Sequence, residues 1–378
     1  MPAVSIRALA SVLAALLVGG TAPALAQDAE TRVQVNLSEA GCEPAALSVP
    51  AGPVVIEIAN LGGDIGEFEI LKGDFVVDEV ENMVPTFQNN LVTRLDGGEY
   101  TLVCYTLQSP RGTLTVTGGA AATRPPSSVV DATTLAAYQA EYETYVRAQA
   151  TDFAARVATF TAALKTGDLD TARSLYAITR VPWETIEPIA ELFTDLDQAI
   201  DFREEDYASV DDPAWAGFHR IERMLWVDGA SGDLDSLADG LLANANELAA
   251  RVATLPIDSY SMAQGAGTLI EEVAQTKMTG EEDRYSGTDL VSIQANVDGS
   301  KHIIDIFRPT LTAVAPDYLA QLDAAFAGVD AVTDLYRDGD GFTSFQDITP
   351  TDLTALQSTL AGLAEVLSRL AGTLGLAA

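Results

Sequence analysis

Near residue 120 the apolar residues change their spacing, from a period of two to that of a helix, so one part of this chain must form sheet and the other a helical assembly. Between Thr31 and Gly118 short apolar runs alternate, as in Val33-Gln34-Val35-Asn36-Leu37, Val54-Val55-Ile56-Glu57-Ile58 and Thr113-Leu114-Thr115-Val116. Gly, Pro, Asn and Asp turn signals separate them, which predicts a small β-sandwich. The small, proline-bearing stretch from Gly118 to Ser128 reads as a linker. Beyond it the spacing predicts helices over 131–166, 169–176, 182–203, 213–226, 234–255, 258–275, 288–308, 316–334 and 350–374. Ala-rich antiparallel helices with short connections make a bundle or a pair of bundles. No repeat of fixed period is present, and 378 residues exceed what one ordinary core supports.

The N-terminus carries an export pattern. Arg7 is the lone charge before an apolar stretch from Ala8 to Val18, and Ala24-Leu25-Ala26 supplies the small-x-small site that a signal peptidase cuts after. Residues 1–26 are expected to be a signal peptide, 27–118 the β domain, 119–130 the linker and 131–378 the helical domain. No cysteine follows the cleavage site to take a lipid anchor, and no later run is long and apolar enough to span a bilayer. The expected location is the periplasm, with the chain not membrane-embedded. Without Arg7, 20 basic residues stand against 55 acidic ones, a net charge of −35. That field repels nucleic acid and attracts cations. Only four lysines are present, so solubility or salt adaptation also accounts for the bulk charge.

One stretch concentrates metal-binding chemistry. In Trp215-Ala216-Gly217-Phe218-His219-Arg220-Ile221-Glu222-Arg223-Met224-Leu225-Trp226, His219 and Glu222 lie three apart on one helix face amid Phe218, Ile221 and Leu225. A carboxylate in that stripe is costly unless paired or bound to a cation. An H-x-x-E pair supplies one imidazole nitrogen and one carboxylate oxygen, but alone it also serves as a structural pair. Glu184 and Glu187 are again three apart, with Asp201 farther along the same predicted helix. The two glutamates also suit a helix N-terminus after Pro182. Glu281-Glu282-Asp283 forms a third acidic cluster, in a loop.

Several spaced motifs in order resemble the imelysin-like family, and most its periplasmic iron-uptake branch. They are Arg180-Val181-Pro182-Trp183-Glu184-Thr185-Ile186-Glu187-Pro188-Ile189-Ala190, the run Gly217-Phe218-His219-Arg220-Ile221-Glu222, and Gly280-Glu281-Glu282-Asp283-Arg284-Tyr285-Ser286 followed by Asn296-Val297-Asp298-Gly299. The resemblance covers nearly the whole mature chain and implies a small cupredoxin-like β-sandwich followed by an all-α imelysin-like helical bundle domain. It implies a metal site from Glu184, Glu187, Asp201, His219, Glu222 and Glu282, with Glu281 or Asp283 as substitutes for Glu282. Six groups exceed what one ion needs, so some serve to position ligands or balance charge. Carboxylates with one imidazole make a hard site suited to Fe(II), Fe(III) or Mn(II), with Zn(II) and Ca(II) also accepted.

Both cysteines, Cys42 and Cys104, fall in the β domain, while His219 and His302 lie outside it. The two-histidine copper centre of electron-transfer cupredoxins therefore cannot form there. In an oxidising compartment two cysteines most simply make a disulfide. The resemblance implies another use, a copper or ferric ion held by Cys42, Cys104 and Glu67, with Glu69 and Glu81 as further candidates. His302 has no partner at metal spacing. Asp338-Gly339-Asp340-Gly341-Phe342 lacks the full ligand spacing of a calcium loop.

Two function classes follow. The resemblance implies a binding protein that captures iron and delivers it to an inner-membrane iron permease, with a periplasmic haem peroxidase as third component. The competing class is a zinc-dependent metallopeptidase, the activity from which the family takes its name. The two-histidine H-E-x-x-H helix of zinc peptidases is absent.

Overall fold

A computed structural model describes residues 31–376 apart from 73–74, 107–108, 119–128, 191, 208, 230–232 and 340. The expected signal peptide and most of the expected linker lie outside these residues. Nine strands come first: β1 (Thr31–Ser38), β2 (Gly41–Glu43), β3 (Ala46–Pro50), β4 (Gly52–Asn60), β5 (Gly66–Lys72), β6 (Phe75–Met83), β7 (Gln88–Leu95), β8 (Gly98–Tyr105) and β9 (Gly112–Thr117). They form two sheets, ordered β2-β1-β4-β7 and β3-β9-β8-β5-β6. β1 runs parallel to β4 and β3 parallel to β9, while the other pairings are antiparallel. Alternation does the packing: Val35 and Leu37 on β1, Phe68 and Ile70 on β5, and Leu102 and Cys104 on β8 fill the space between the sheets.

The helical domain follows as α1 (Ala132–Thr166), α2 (Leu169–Ala190), α3 (Thr194–Ile200), α4 (Gly217–Arg223), α5 (Leu234–Val252), α6 (Ser259–Thr276), α7 (Asp289–Val314), α8 (Pro316–Thr333), α9 (Pro350–Leu367) and α10 (Leu370–Leu374). α1 starts where Asp131 accepts from the amides of Thr133 and Thr134, and stops at Gly167, whose φ of 72° closes the last turn. It lies against α2 and α5. α7 packs on α2, α6 and α8, with α9 against α6 and α8, so one apolar core runs through the whole assembly. No helix among the described residues is long and apolar enough to cross a membrane.

The change of period near residue 120 therefore marks a real change from sheet to helix. Prolines misled the finer reading. A break before Pro182 and a stop before Pro309 are expected, because proline removes an amide and crowds the turn behind it. Instead α2 runs through Pro182 and Pro188, and α7 through Pro309. Each freed carbonyl in α2 finds another donor: Arg156 Nη1 reaches Ile178 O at 2.7 Å, and Asn296 Nδ2 reaches Glu184 O at 2.9 Å. The expected helix over 182–203 is divided between the end of α2 and α3, and that over 350–374 between α9 and α10.

Candidate metal centre

Glu184 and Glu187 stand in the body of α2, not in a first turn, so the helix N-terminus does not explain them. Both are buried. The Asn296 amide that satisfies Glu184 O also donates to the carboxylates of Glu184, at 3.1 Å, and Glu187. Its helix comes close enough because Gly299 has no side chain: a Cβ there would overlap the Thr185 carbonyl. The Asn296 to Gly299 run thus acts by pressing α7 onto the acidic face of α2.

His219 and Glu222 sit on α4, a short helix that passes at Met224 into a π-helical turn over 224–228. Insertions of this kind recur at functional sites, where they re-aim side chains. Gly217 opens α4 with φ of 78°, and a Cβ at that position would overlap the Ile200 carbonyl. The H-x-x-E helix can therefore touch the end of α3, where Asp201 is the C-cap.

Two cations organise the acids, and neither was singled out from the sequence. Arg180 is fully buried and donates to Glu184, to Asp201 and, at 2.7 Å, to Glu282. Lys277 Nζ lies 3.1 Å from Glu184, 2.9 and 3.0 Å from the two oxygens of Glu187, and 3.4 Å from Glu282. Arg203 Nη1 adds a contact of 3.3 Å to Glu282. The spacing of Arg180 four residues before Glu184, on one helix face, was the available signal. Lys277 offered none beyond being one of four lysines.

Ligand atoms of Asp201, His219 and Glu282 converge within 4.8 Å of one another, and so do those of His219, Glu222 and Asp283. The first group is already served by a cation: the Arg180 guanidinium bonds to both carboxylates and stands 3.4 Å from His219 Nε2. The second group is served only at longer range, with Arg180 Nε 3.6 Å from Asp283 Oδ1 and His219 Nδ1 3.6 Å from Glu222 Oε2. Glu222 Oε1 accepts from Tyr285 N at 3.0 Å and from Ser286 N and Oγ at 2.7 Å each, while its Oε2 is buried with no hydrogen-bond partner. Asp283 Oδ2 accepts from Ser292 Oγ at 3.0 Å, and its Oδ1 is buried without a hydrogen bond, 3.6 Å from Arg180 Nε. His219 turns Nε2 toward Asp201 Oδ1, 3.4 Å away, and its Nδ1 makes no hydrogen bond, lying 3.6 Å from Glu222 Oε2. Each residue is thus fixed through one atom and presents another. A carboxylate accepting the far N–H of an imidazole is the arrangement that orients a metal-ligating histidine.

Glu282 converges with Asp201 and His219, but its oxygens are engaged by Arg180, Arg203 and Lys277, whereas its expected substitute Asp283 joins His219 and Glu222. Glu184 and Glu187 are occupied by Arg180, Lys277 and Asn296, and Asp201 by Arg180, His219 and Trp183 Nε1. All four carboxylates are thus engaged with buried or partly buried cations. Glu281 is exposed and pairs with Arg284 at 2.9 Å.

The protonation pattern follows from this arrangement. Burial pushes Asp283 up to about 8, against the pull of Arg180, and pushes the nearby Asp289 up to about 6. Burial and Arg180 would lower the His219 imidazolium, but Asp201 and Glu222 override them and raise it to about 10. Burial also opposes ionisation of Glu282, yet Lys277, Arg180 and Arg203 together bring it down to about 2.

Among the described residues the β domain offers no comparable centre. Cys42 and Cys104 form a disulfide within the apolar core, which consumes both thiolates. Glu67 and Glu69 lie on the face of β5 opposite to Phe68 and Ile70, so Glu67 is turned away from the cystine. The copper or ferric site expected from Cys42, Cys104 and Glu67 is corrected on both counts. Burial raises Glu67 to about 7, with Glu69 and Asp206 of the helical domain adding to the rise. Glu69 accepts from Thr194 Oγ1 at 3.4 Å, linking the sandwich to the first residue of α3. His302 stacks on Tyr145, 3.7 Å between ring centres, and lines a cleft of about 460 Å³ on the other side of α7 from Asn296.

With this geometry in view, the comparisons define the class first. Residues 138–370 match the imelysin family model and residues 8–116 the model of the cupredoxin-like domain. The chain belongs to the imelysin family and carries an N-terminal cupredoxin-like domain. Among characterised relatives, it is 42% identical over 346 residues to the iron uptake system component EfeO of Yersinia pseudotuberculosis, covering 91% of each chain. It is equally similar to EfeO of Escherichia coli O157:H7, with 91% of this chain and 92% of that one covered. A solved structure, a novel purple cupredoxin from Nitrosopumilus maritimus, aligns with 22% of this chain and 99% of its own at 13% identity and a TM-score of 0.20.

Proposed function

We propose that this chain is an EfeO-type periplasmic iron carrier: it binds iron between His219, Glu222 and Asp283 and delivers it to an inner-membrane iron permease, beside an EfeB-like haem peroxidase. The observation that carries the reading is the convergence of three buried atoms that make no hydrogen bond, His219 Nδ1, Glu222 Oε2 and Asp283 Oδ1, held only by charged contacts of 3.6 Å. Leaving such atoms without a hydrogen bond is costly, and one cation satisfies all three at once. One nitrogen and two carboxylate oxygens suit iron, and the relatives' name as iron uptake components supports iron as cargo. The acidic surface favours the approach of cations and disfavours nucleic acid.

The three residues also fit Zn(II), which keeps a zinc-dependent peptidase as the competing reading. It is weaker because the three ligands are at most 3% exposed, and a peptide bond needs an open face beside the metal. The test is titration of metal-stripped protein with Fe(II) without oxygen, chelated Fe(III) and Zn(II), in wild type and His219→Ala. Saturable iron binding abolished by His219→Ala supports the proposal. Iron binding untouched by the substitution places the site elsewhere, and zinc-dependent peptide cleavage lost in Glu222→Gln would favour the peptidase.

A further inference from the structure

Ligands this deeply buried pose an access problem: an ion reaches His219, Glu222 and Asp283 only if part of their cover moves. α2 and α7 are fixed by the apolar core. The loop over 343–347 is pinned by two backbone bonds, Thr343 N to Tyr336 O and Phe345 N to Gly287 O, each 2.9 Å, and by the buried ring of Phe345. The segment 201–207, between α3 and α4, differs from both. None of its residues is buried. Its backbone bonds run to the end of α3 or within the segment, apart from Phe202 O, which accepts from Trp215 Nε1 at 3.1 Å.

What ties this segment down is charge, and the ties land on the two elements that carry the ligands. Arg203 Nη1 reaches Glu282 at 3.3 Å, beside Asp283. Glu204 reaches Arg223 Nη1 at 3.3 Å, beside Glu222, and also accepts from the Tyr285 hydroxyl. Glu205 reaches Arg284 Nη2 at 3.2 Å. Except for Glu282, which is 3% exposed, the charged side chains of these pairs are 20–34% exposed, so water and salt reach them while the ligands beneath stay dry.

We propose that residues 202–207 form an electrostatically latched gate over the metal centre, opening when the pairs of Arg203, Glu204 and Glu205 break. The proposal rests on the ligand reading of His219, Glu222 and Asp283. Breaking such pairs costs little compared with moving a core helix. Asp201, held by Arg180 and Trp183 Nε1, stays in place as the hinge and keeps facing His219 Nε2.

The test uses the full chain loaded with Zn(II), a redox-silent probe, mixed with excess chelator in a stopped-flow instrument. Glu205→Gln with Arg284→Gln removes one latch and touches no proposed ligand. Release should be roughly five- to tenfold faster than wild type, with affinity almost unchanged because entry speeds up equally. Added salt should hasten release from wild type and have less effect on the double variant. Arg308→Gln, which breaks a pair with Asp323 on the α7–α8 surface, should leave the rate alone. In hydrogen exchange, amides over 202–207 should exchange quickly in zinc-free protein and slow on loading. Wild-type release from the double variant, or opening of another segment instead, overturns the gate. Zinc binding that His219→Ala leaves intact defeats the ligand reading, and the gate with it, before any rate is measured.

Discussion

Protons occupy the place of the ion, and metal affinity must therefore rise steeply with pH. Below pH 8 both His219, titrating at about 10, and Asp283, titrating at about 8, hold a proton. A metal ion needs the lone pairs of both, so each ion bound displaces two protons. Competition of that order tightens binding about a hundredfold for each unit of rising pH, or about 2.7 kcal/mol. Between about pH 8 and 10 only His219 remains to be deprotonated, and the gain falls to about tenfold per unit. The assay is Zn(II) binding at buffered free-metal concentrations from about pH 5.5 to 7.5, with proton release counted by calorimetry in buffers of different ionisation heat. Asp283→Asn removes one of the two titrating ligands, so its slope should be about tenfold per unit. Affinity independent of pH, or binding that releases no protons, would refute the reasoning.

Other consequences concern the support of the site. Glu282 titrates at about 2 in the folded chain against an ordinary 4.5, so its ionisation stabilises the fold above pH 4.5 and that contribution is lost as pH falls toward 2. Glu282→Gln should therefore cost about 3 kcal/mol in urea unfolding at pH 7 and progressively less below pH 4.5. Arg180→Met leaves Glu184, Asp201 and Glu282 short of a buried partner and should cost about 3–5 kcal/mol, read as a lowered melting temperature. Gly217→Ala drives α4 away from Ile200, so titration should show weaker metal binding even where circular dichroism shows unchanged helix content.

What could be read from the sequence was what is local. Period alone separates sheet from helix, and three-residue spacing puts His219 and Glu222 on one face. Helix ends at prolines were not legible, because Pro182 and Pro188 are tolerated only through donors on other helices, Arg156 and Asn296. The choice between Glu282 and Asp283 had the same obstacle. These neighbours differ in how closely cations approach them, Glu282 meeting Arg180, Arg203 and Lys277 and Asp283 only Arg180 at 3.6 Å, and that is decided by long-range packing. The cysteines carried two readings for a related reason: a thiolate ligand and a half-cystine look alike until the strands bring Cys42 against Cys104.

The central claim is that the cargo ion sits on His219, Glu222 and Asp283, and its most direct test is anomalous diffraction from crystals of the full chain loaded with Fe(II) without oxygen. The account predicts one strong iron peak within bonding distance of His219 Nδ1, Glu222 Oε2 and Asp283 Oδ1, with Arg180 still bonded to Glu184 and Glu282. An iron peak between Glu184 and Glu187, or in the β-sandwich alone, would contradict it.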